Sequence, residues 1–153
     1  MAATLQSFGT NVEFARTIHQ RGARFLVVGG LAVKAYVPSR IADDMDLLLD
    51  PSMSTAQVVH AALAEFGETP EFSPDKLALP KKQVSAKSRS LYVDLFTPLV
   101  ADKFEDFYAR GTDGNLSGVP VRIMGKNDLI AMKSRTANAN LKDRNDIALL
   151  QAV

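Results

Sequence analysis

Apolar residues recur along the first half of the chain with two different periods. Val12, Ala15 and Ile18, with Phe14 beside them, share one helical face, which predicts a helix over residues 11–21 with Gly22 in the place of a terminating glycine. Arg24-Phe25-Leu26-Val27-Val28 does not alternate at all. A short β-branched run of this kind, ended by Gly29-Gly30, predicts a buried strand that runs into a glycine turn. Leu31 to Tyr36 reads as a helix stopped by Pro38. Asp44 to Leu49 reads as a second strand, closed by Asp50-Pro51, and Ser54-Thr55-Ala56-Gln57 has the spacing of a capping box opening an alanine-rich helix that ends near Gly67.

The second half is more broken. Residues 68–82 hold three prolines and no clean period, so a loop with one helical turn is expected. Val84 to Ser88 and Leu91 to Phe96 read as a pair of strands, Asp102 to Ala109 as a short helix, and Val119 to Met124 as a strand between Gly118 and Gly125. Asn127 to Thr136 and Lys142 to Val153 read as helices joined by Ala137-Asn138-Ala139-Asn140. This order predicts an α+β (mixed α/β) fold: a short mixed central sheet flanked by helices, with a small C-terminal helical part. A single domain over 1–153 is expected, its core at about 11–124 and its C-terminal helices at about 125–153.

Composition changes this picture little. The chain has 153 residues, 46% hydrophobic and 23% charged, with a net charge of +1, so it can build a core and makes no bulk case for nucleic acid or membrane. The absence of cysteine excludes disulfides, thiolate nucleophiles and zinc–thiolate sites. The opening Met1-Ala2-Ala3-Thr4-Leu5-Gln6 lacks a basic region followed by an apolar one. The longest strongly apolar run is Phe25 to Val33, well short of the roughly 20 residues that span a bilayer. A cytoplasmic protein is the expectation.

The chemistry concentrates in acids on strands. Side chains alternate along a strand, so Asp44 and Asp46 are expected on one face, their Cα atoms roughly 6.5–7 Å apart, with Met45, Leu47 and Leu49 on the other. In-line carboxylates repel unless a cation or solvent separates them, and oxygen-rich sites of this kind suit Mg²⁺. Asp94 interrupts the apolar run Leu91 to Phe96, where a buried charge needs a partner. If its strand lies beside the first, three carboxylates can hold two metals about 3.5–4 Å apart. Gly29-Gly30, between strand and helix, lets backbone N–H groups approach phosphate.

Val27-Val28-Gly29-Gly30-Leu31-Ala32-Val33, then Arg40-Ile41-Ala42-Asp43-Asp44-Met45-Asp46-Leu47, and later Val93-Asp94-Leu95, resemble the signature of the DNA polymerase β-like nucleotidyltransferase superfamily. More narrowly, they resemble small bacterial proteins related to the abortive-infection toxins of toxin–antitoxin pairs. Asp128 to Lys133 and Lys142 to Ile147 correspond to helices typical of that group's C-terminal part, so the resemblance covers nearly the whole chain. Ala42 stands where a threonine is common, removing a hydroxyl near the phosphates, and Met45 replaces the usual isoleucine.

The resemblance implies transfer of a nucleoside monophosphate from an NTP, with Mg²⁺ or Mn²⁺ and release of pyrophosphate. It assigns metal binding to Asp44, Asp46 and Asp94, the last also as base for the acceptor hydroxyl. Gly29 and Gly30 would cradle the β- and γ-phosphates, and Arg40 and Lys133 would offset triphosphate charge. The implied acceptor is a hydroxyl of an RNA such as tRNA, of a protein or of a small molecule, and an antitoxin-like protein is an implied partner. The competing class is a non-catalytic module that keeps the fold and works through a protein partner.

Plainer readings stand beside these. Asp44 and Asp46 can be a solvated strand end with Asp43 as a surface neighbour, and Asp94 can pair with a lysine of the basic stretch. Arg40 can pack on a loop, and Lys133 can be a snorkelling surface lysine. Asp143 and Asp146, interleaved with Lys142 and Arg144, read first as a salt-bridged surface face and second as support for Lys133. His19 and His60 read as surface or boundary residues. Lys76, Lys81, Lys82, Lys87 and Arg89 read as a solvated rim, with steering of a polyanionic acceptor as the alternative.

Overall fold

The computed structural model describes residues 3–42, 44–87, 91–138 and 140–153. Of the residues singled out above, Met1, Ala2, Asp43, Ser88, Arg89 and Ala139 lie outside the described residues. Among the described residues seven strands form one mixed sheet: β1 (Ala3–Leu5), β2 (Phe25–Val28), β3 (Met45–Leu49), β4 (Gln83–Ala86), β5 (Val93–Phe96), β6 (Thr112–Leu116) and β7 (Val119–Ile123), in the spatial order β1-β6-β7-β2-β3-β5-β4. β2 runs antiparallel to β3 and parallel to β7, and β3 runs parallel to β5. Six α-helices accompany it among the described residues, α1 (Gly9–Gln20), α2 (Gly29–Tyr36), α3 (Met53–Glu65), α4 (Phe104–Arg110), α5 (Lys126–Ser134) and α6 (Leu141–Gln151), with a short 3-10 helix at Pro74–Ala78, the one turn expected in the proline-rich loop. The mixed α/β expectation is met, with a wider sheet than the sequence suggested.

The centre of the sheet is apolar on both faces. All of β2 is buried, and in β3 Met45 and Leu47 to Leu49 are buried, so Leu48 joins the residues expected inside. Unbroken apolar runs are what strands covered on both faces require. α1 packs against α3 and β7, while α2 packs against β1, β2, β3, α5 and α6. Five buried residues of α1, among them Phe14 and Ile18, confirm the predicted amphipathic helix, which starts at Gly9, two residues before the predicted start.

Three local expectations need correction. The glycines do not form a separate turn, because Gly29 and Gly30 are already the first residues of α2, with Val28 as its extended N-cap. The cap of α3 is Ser52, whose Oγ accepts the Thr55 N–H at 3.2 Å, and Ser54 lies inside the helix. β4 ends at Ala86. β1 and β6 were not foreseen. Asp113, Gly114 and Asn115 are poor strand formers taken singly, and β6 exists because β7 and β1 pair with it on its two sides. Its hairpin to β7 turns through Ser117 and Gly118, both at positive φ, as a two-residue turn of matching twist demands.

Among the described residues no helix is long and apolar enough to cross a membrane.

Candidate active site

The site forms where β2 ends, β3 begins and β5 lies alongside. Asp46 is the Cα partner of Val28 across the antiparallel pair and of Asp94 across the parallel pair. The condition set for Asp94 is therefore met: its strand lies beside that of Asp46. Two further bonds pin the register, since the Tyr92 carbonyl accepts the Met45 N–H at 3.0 Å and the buried Asn11 side chain accepts the Tyr92 N–H at 2.8 Å. Asp44 departs from expectation because β3 starts at Met45, leaving Asp44 exposed in the bend before it.

Gly29 has a physical reason to be glycine. Its φ is +64°, and a β-carbon there would overlap the Asp46 carboxylate, which lies directly against the backbone. Gly30 lies under the Arg40 guanidinium, with an added Cβ 3.0 Å from Nη2. Among the described residues no side chain caps the N-terminus of α2. Its first-turn N–H groups are thus left for water or an anion beside the acids.

Burial and like charge govern Asp46. Desolvation first, then Asp94 and Asp44, push its carboxyl up to about 6, against the pull of Lys133 and Lys87. Asp94 is buried, accepts the Ser85 hydroxyl and pairs with Lys87 Nζ at 3.0 Å. The same ammonium lies 3.6 Å from Asp44. The plain reading of Asp94, pairing with a lysine of the basic stretch, therefore holds together with its place beside Asp46.

The donor set suits a hard divalent cation. It is all oxygen, two of its acids are abreast on neighbouring strands, and burial together with the neighbouring acids pushes the Asp46 carboxyl up. Among the described residues no three potential ligands are drawn into a finished metal cage. Mg²⁺ needs none, since it takes one or two carboxylates together with water and substrate phosphates.

A second cluster lies on the other side of Arg40. The Arg40 fork meets both oxygens of Asp146, Nε at 2.7 Å and Nη2 at 3.1 Å, while Nη1 donates to the Ile41 carbonyl. Lys133 Nζ lies 3.0 Å from Asp146 and 3.4 Å from Asp143, and Thr136 donates its hydroxyl to Asp143. Asp146 is 1% exposed and Lys133 8%. The surface-face reading of Asp143 and Asp146 and the snorkelling reading of Lys133 are both overturned, because these groups are folded inward to meet one another. Arg40 is likewise more than loop packing. Burial alone would raise the Asp146 carboxyl, and the bonds from Arg40 and Lys133 outweigh it and hold the group below its ordinary value.

Two spaces meet at this point. A cleft of about 830 Å³ runs from Gly29, Gly30 and Asp46 between the β4–β5 side and α5, with Leu48, Phe96, Leu129 and Met132 among its apolar lining and Lys81, Lys82, Lys133 and Lys142 among its cations. A smaller chamber of about 420 Å³ holds Asp44, Asp46 and Asp94 with Lys87, Arg40 and Lys142. Arg40, Gly30, Asp46 and Lys142 belong to both. All the residues expected at the site line one or both of these spaces. His19 is exposed, and His60 is half-buried with its ring bonded to the Phe72 carbonyl at 2.6 Å, so both are boundary residues as expected.

Sequence reasoning offered Lys87 among the lysines that could pair with Asp94 without singling it out, and passed over Ser85 and the link from Arg40 to Asp146. The first was visible only as one of several scattered cations, and the last joins residues 106 positions apart.

Comparison with known proteins gives a family and a fold. Residues 8–151 match the family described as nucleotidyl transferase of unknown function, DUF2204. No curated protein matches the chain in sequence. The fold is similar to that of ANT(2″)-Ia, solved in complex with adenylyl-2″-tobramycin, at a TM-score of 0.57 and 16% identity over 92% of this chain and 87% of that one. It is also similar to an antigenic nucleotidyltransferase-like protein from Paracoccidioides brasiliensis, at a TM-score of 0.58 and 14% identity over 92% of this chain and 73% of that one.

Proposed function

The chain belongs to the DUF2204 nucleotidyl transferase family, and from that premise we propose that it transfers a nucleoside monophosphate from an NTP to an acceptor hydroxyl in a divalent-metal-dependent reaction. The observation that carries the proposal is the register of Asp46 with Asp94, abreast beside the uncapped start of α2 and at the edge of a cleft of NTP size.

In this reading Asp46 and Asp94, with Asp44, hold Mg²⁺ or Mn²⁺. The cation supplies positive charge that neutralises the triphosphate and favours loss of the acceptor proton. The N–H groups of Gly29 and Gly30 receive phosphate oxygens. Lys133, fixed between Asp143 and Asp146, and Arg40, fixed by Asp146, present positive charge with little freedom left to lose. The acceptor oxygen forms its bond to the α-phosphorus as the bond to the bridging oxygen breaks. Pyrophosphate leaves, and the acceptor proton passes to the Asp94 carboxylate. Phe96, Leu129 and Met132 offer the base an apolar wall.

The acceptor belongs to one of three classes: an RNA such as tRNA, a protein, or a small molecule. A toxin held by an antitoxin-like protein is one form of the RNA case. Incubation with each α-labelled NTP and Mg²⁺, together with total RNA, total protein or a panel of polyhydroxylated small molecules, reads out NTP, acceptor and pyrophosphate together. The parent protein is expected to bind NTP only with Mg²⁺ present, and Asp46→Ala is expected to lose that dependence along with label transfer. If the parent shows no metal-dependent binding, the enzyme reading is lost and a non-catalytic module of the same fold takes its place.

A further inference from the structure

Among the described residues Lys87 is the one cation paired with two of the three acids. Its Nζ lies 3.0 Å from Asp94 and 3.6 Å from Asp44, at the end of the edge strand β4, and it faces the smaller chamber. The ammonium is thus placed among the oxygens that the proposed function gives to a divalent cation. It is held less firmly than the buried cations of the neighbouring cluster. The Lys87 side chain is 43% exposed and that of Asp44 is 53%, against 9% for Lys133 and 2% for Asp146. A long, flexible stem with an exposed head can leave without unpacking anything.

We propose that Lys87 is a tethered counter-ion of the acid pair, occupying Asp94 and Asp44 when no divalent cation is bound and giving them up to the cation. This inference rests on the metal-dependent reading above. It adds that the site's affinity for metal is set in part by an internal competitor. The exchange has a consequence for the phosphates. A divalent cation on the acids leaves the Lys87 ammonium free in the chamber that adjoins the triphosphate side, so arrival of metal converts a lysine from partner of the acids to partner of an anion.

The test uses the full chain without nucleotide and Mn²⁺ alone, titrated by calorimetry and by the loss of the free-Mn²⁺ paramagnetic signal. Lys87→Met is expected to bind Mn²⁺ about two- to fivefold more tightly than the parent, the scale of one exposed ion pair. Lys87→Arg, which keeps the charge, is expected to stay close to the parent. Lys82→Met, which removes a lysine that lines only the larger cleft, is expected to leave the affinity unchanged. Equal or weaker binding in Lys87→Met overturns the proposal, as does an equal gain in Lys82→Met, which would mark a general charge effect. If neither the parent nor Lys87→Met binds Mn²⁺, the proposal is overturned, while the metal-dependent reading is decided separately by NTP binding with and without Mg²⁺. Binding by the parent without a gain in the variant removes Lys87 alone.

Discussion

The charges on the two sides of Arg40 follow opposite rules. Towards α5 and α6, cation and anion alternate, Arg40–Asp146–Lys133–Asp143, and the most buried carboxylate is held below its ordinary acid range by the two cations that meet it. Towards β3 and β5, Asp44, Asp46 and Asp94 gather with one half-exposed lysine, and Asp46 is driven up to about 6. A fold gains from the first arrangement once it is desolvated. The second costs stability unless something not encoded in the chain arrives to offset it. Both clusters lie along one site, so the contrast separates the residues that hold the site in shape from those to which the proposed function gives a ligand.

The largest effect should come from breaking the alternating cluster at its centre. Asp146→Ala leaves Arg40 and Lys133 as inward-facing cations with no shared anion, and removing one member of a buried pair costs about 3–5 kcal/mol. Urea unfolding at neutral pH should show the unfolding free energy falling by that amount, seen as a lower midpoint. If the loss is below 1 kcal/mol, Asp146 is no keystone and the contrast between the two sides fails.

Much of this contrast was invisible in the sequence, and the reason is distance along the chain. The acid site was legible because local rules placed it: an apolar run ending in two glycines, an Asp-x-Asp at the start of a strand, and an acid within a second apolar run. Sequence also carried the condition for Asp94, and the parallel pairing of β3 with β5 satisfies it. Asp146, by contrast, sits in a polar helix whose i, i+3 spacing with Asp143 looks like surface. Its partner is 106 residues away. Strand β6 was missed for a related reason, since Asp113, Gly114 and Asn115 disfavour a strand and its two neighbours in the sheet impose one. The exact opening of α2 was missed because Gly29, needed for its positive φ and for the close approach of Asp46, looks like a turn glycine.

The opposite sign of effect is expected at the acid corner. Asp46→Asn removes one of the crowded charges, and it should stabilise the metal-free protein at neutral pH by about 1–3 kcal/mol while removing metal-dependent NTP binding. The pH dependence separates the two proteins. The folded-state carboxyl of Asp46 is raised from 3.8 to about 6. The folded form therefore binds the proton more tightly than the unfolded chain does. That contribution is fully present below about pH 4 and is lost as pH rises through 6. In the absence of divalent cations, the parent should be close to Asp46→Asn in stability at low pH and fall behind it across this window. With Mg²⁺ at neutral pH only the parent should gain in melting temperature, because a ligand of the folded state stabilises by mass action. A destabilised Asp46→Asn in the absence of metal would mean that the acids are not held against their own repulsion.

The smallest effect should fall on Asp143, and it sharpens what the alternating cluster is. Asp143 lies 3.4 Å from Lys133, while Asp146 lies at 3.0 Å and is shared with Arg40. Asp143 is also partly open to solvent, and the Thr136 hydroxyl that donates to it can turn to an amide oxygen instead. Asp143→Asn keeps the shape and the acceptor and removes only the charge, so Lys133 retains its nearer anion and the loss should be about 1 kcal/mol or less. Melting curves of Asp143→Asn, Asp146→Asn and the double variant decide the matter. If Asp146 carries the pairing, the single losses differ severalfold and the double is close to their sum. If Asp143→Asn alone falls as far as Asp146→Asn, the four charges act as one unit. Lys133 then owes its position to both carboxylates equally, rather than to the one it shares with Arg40.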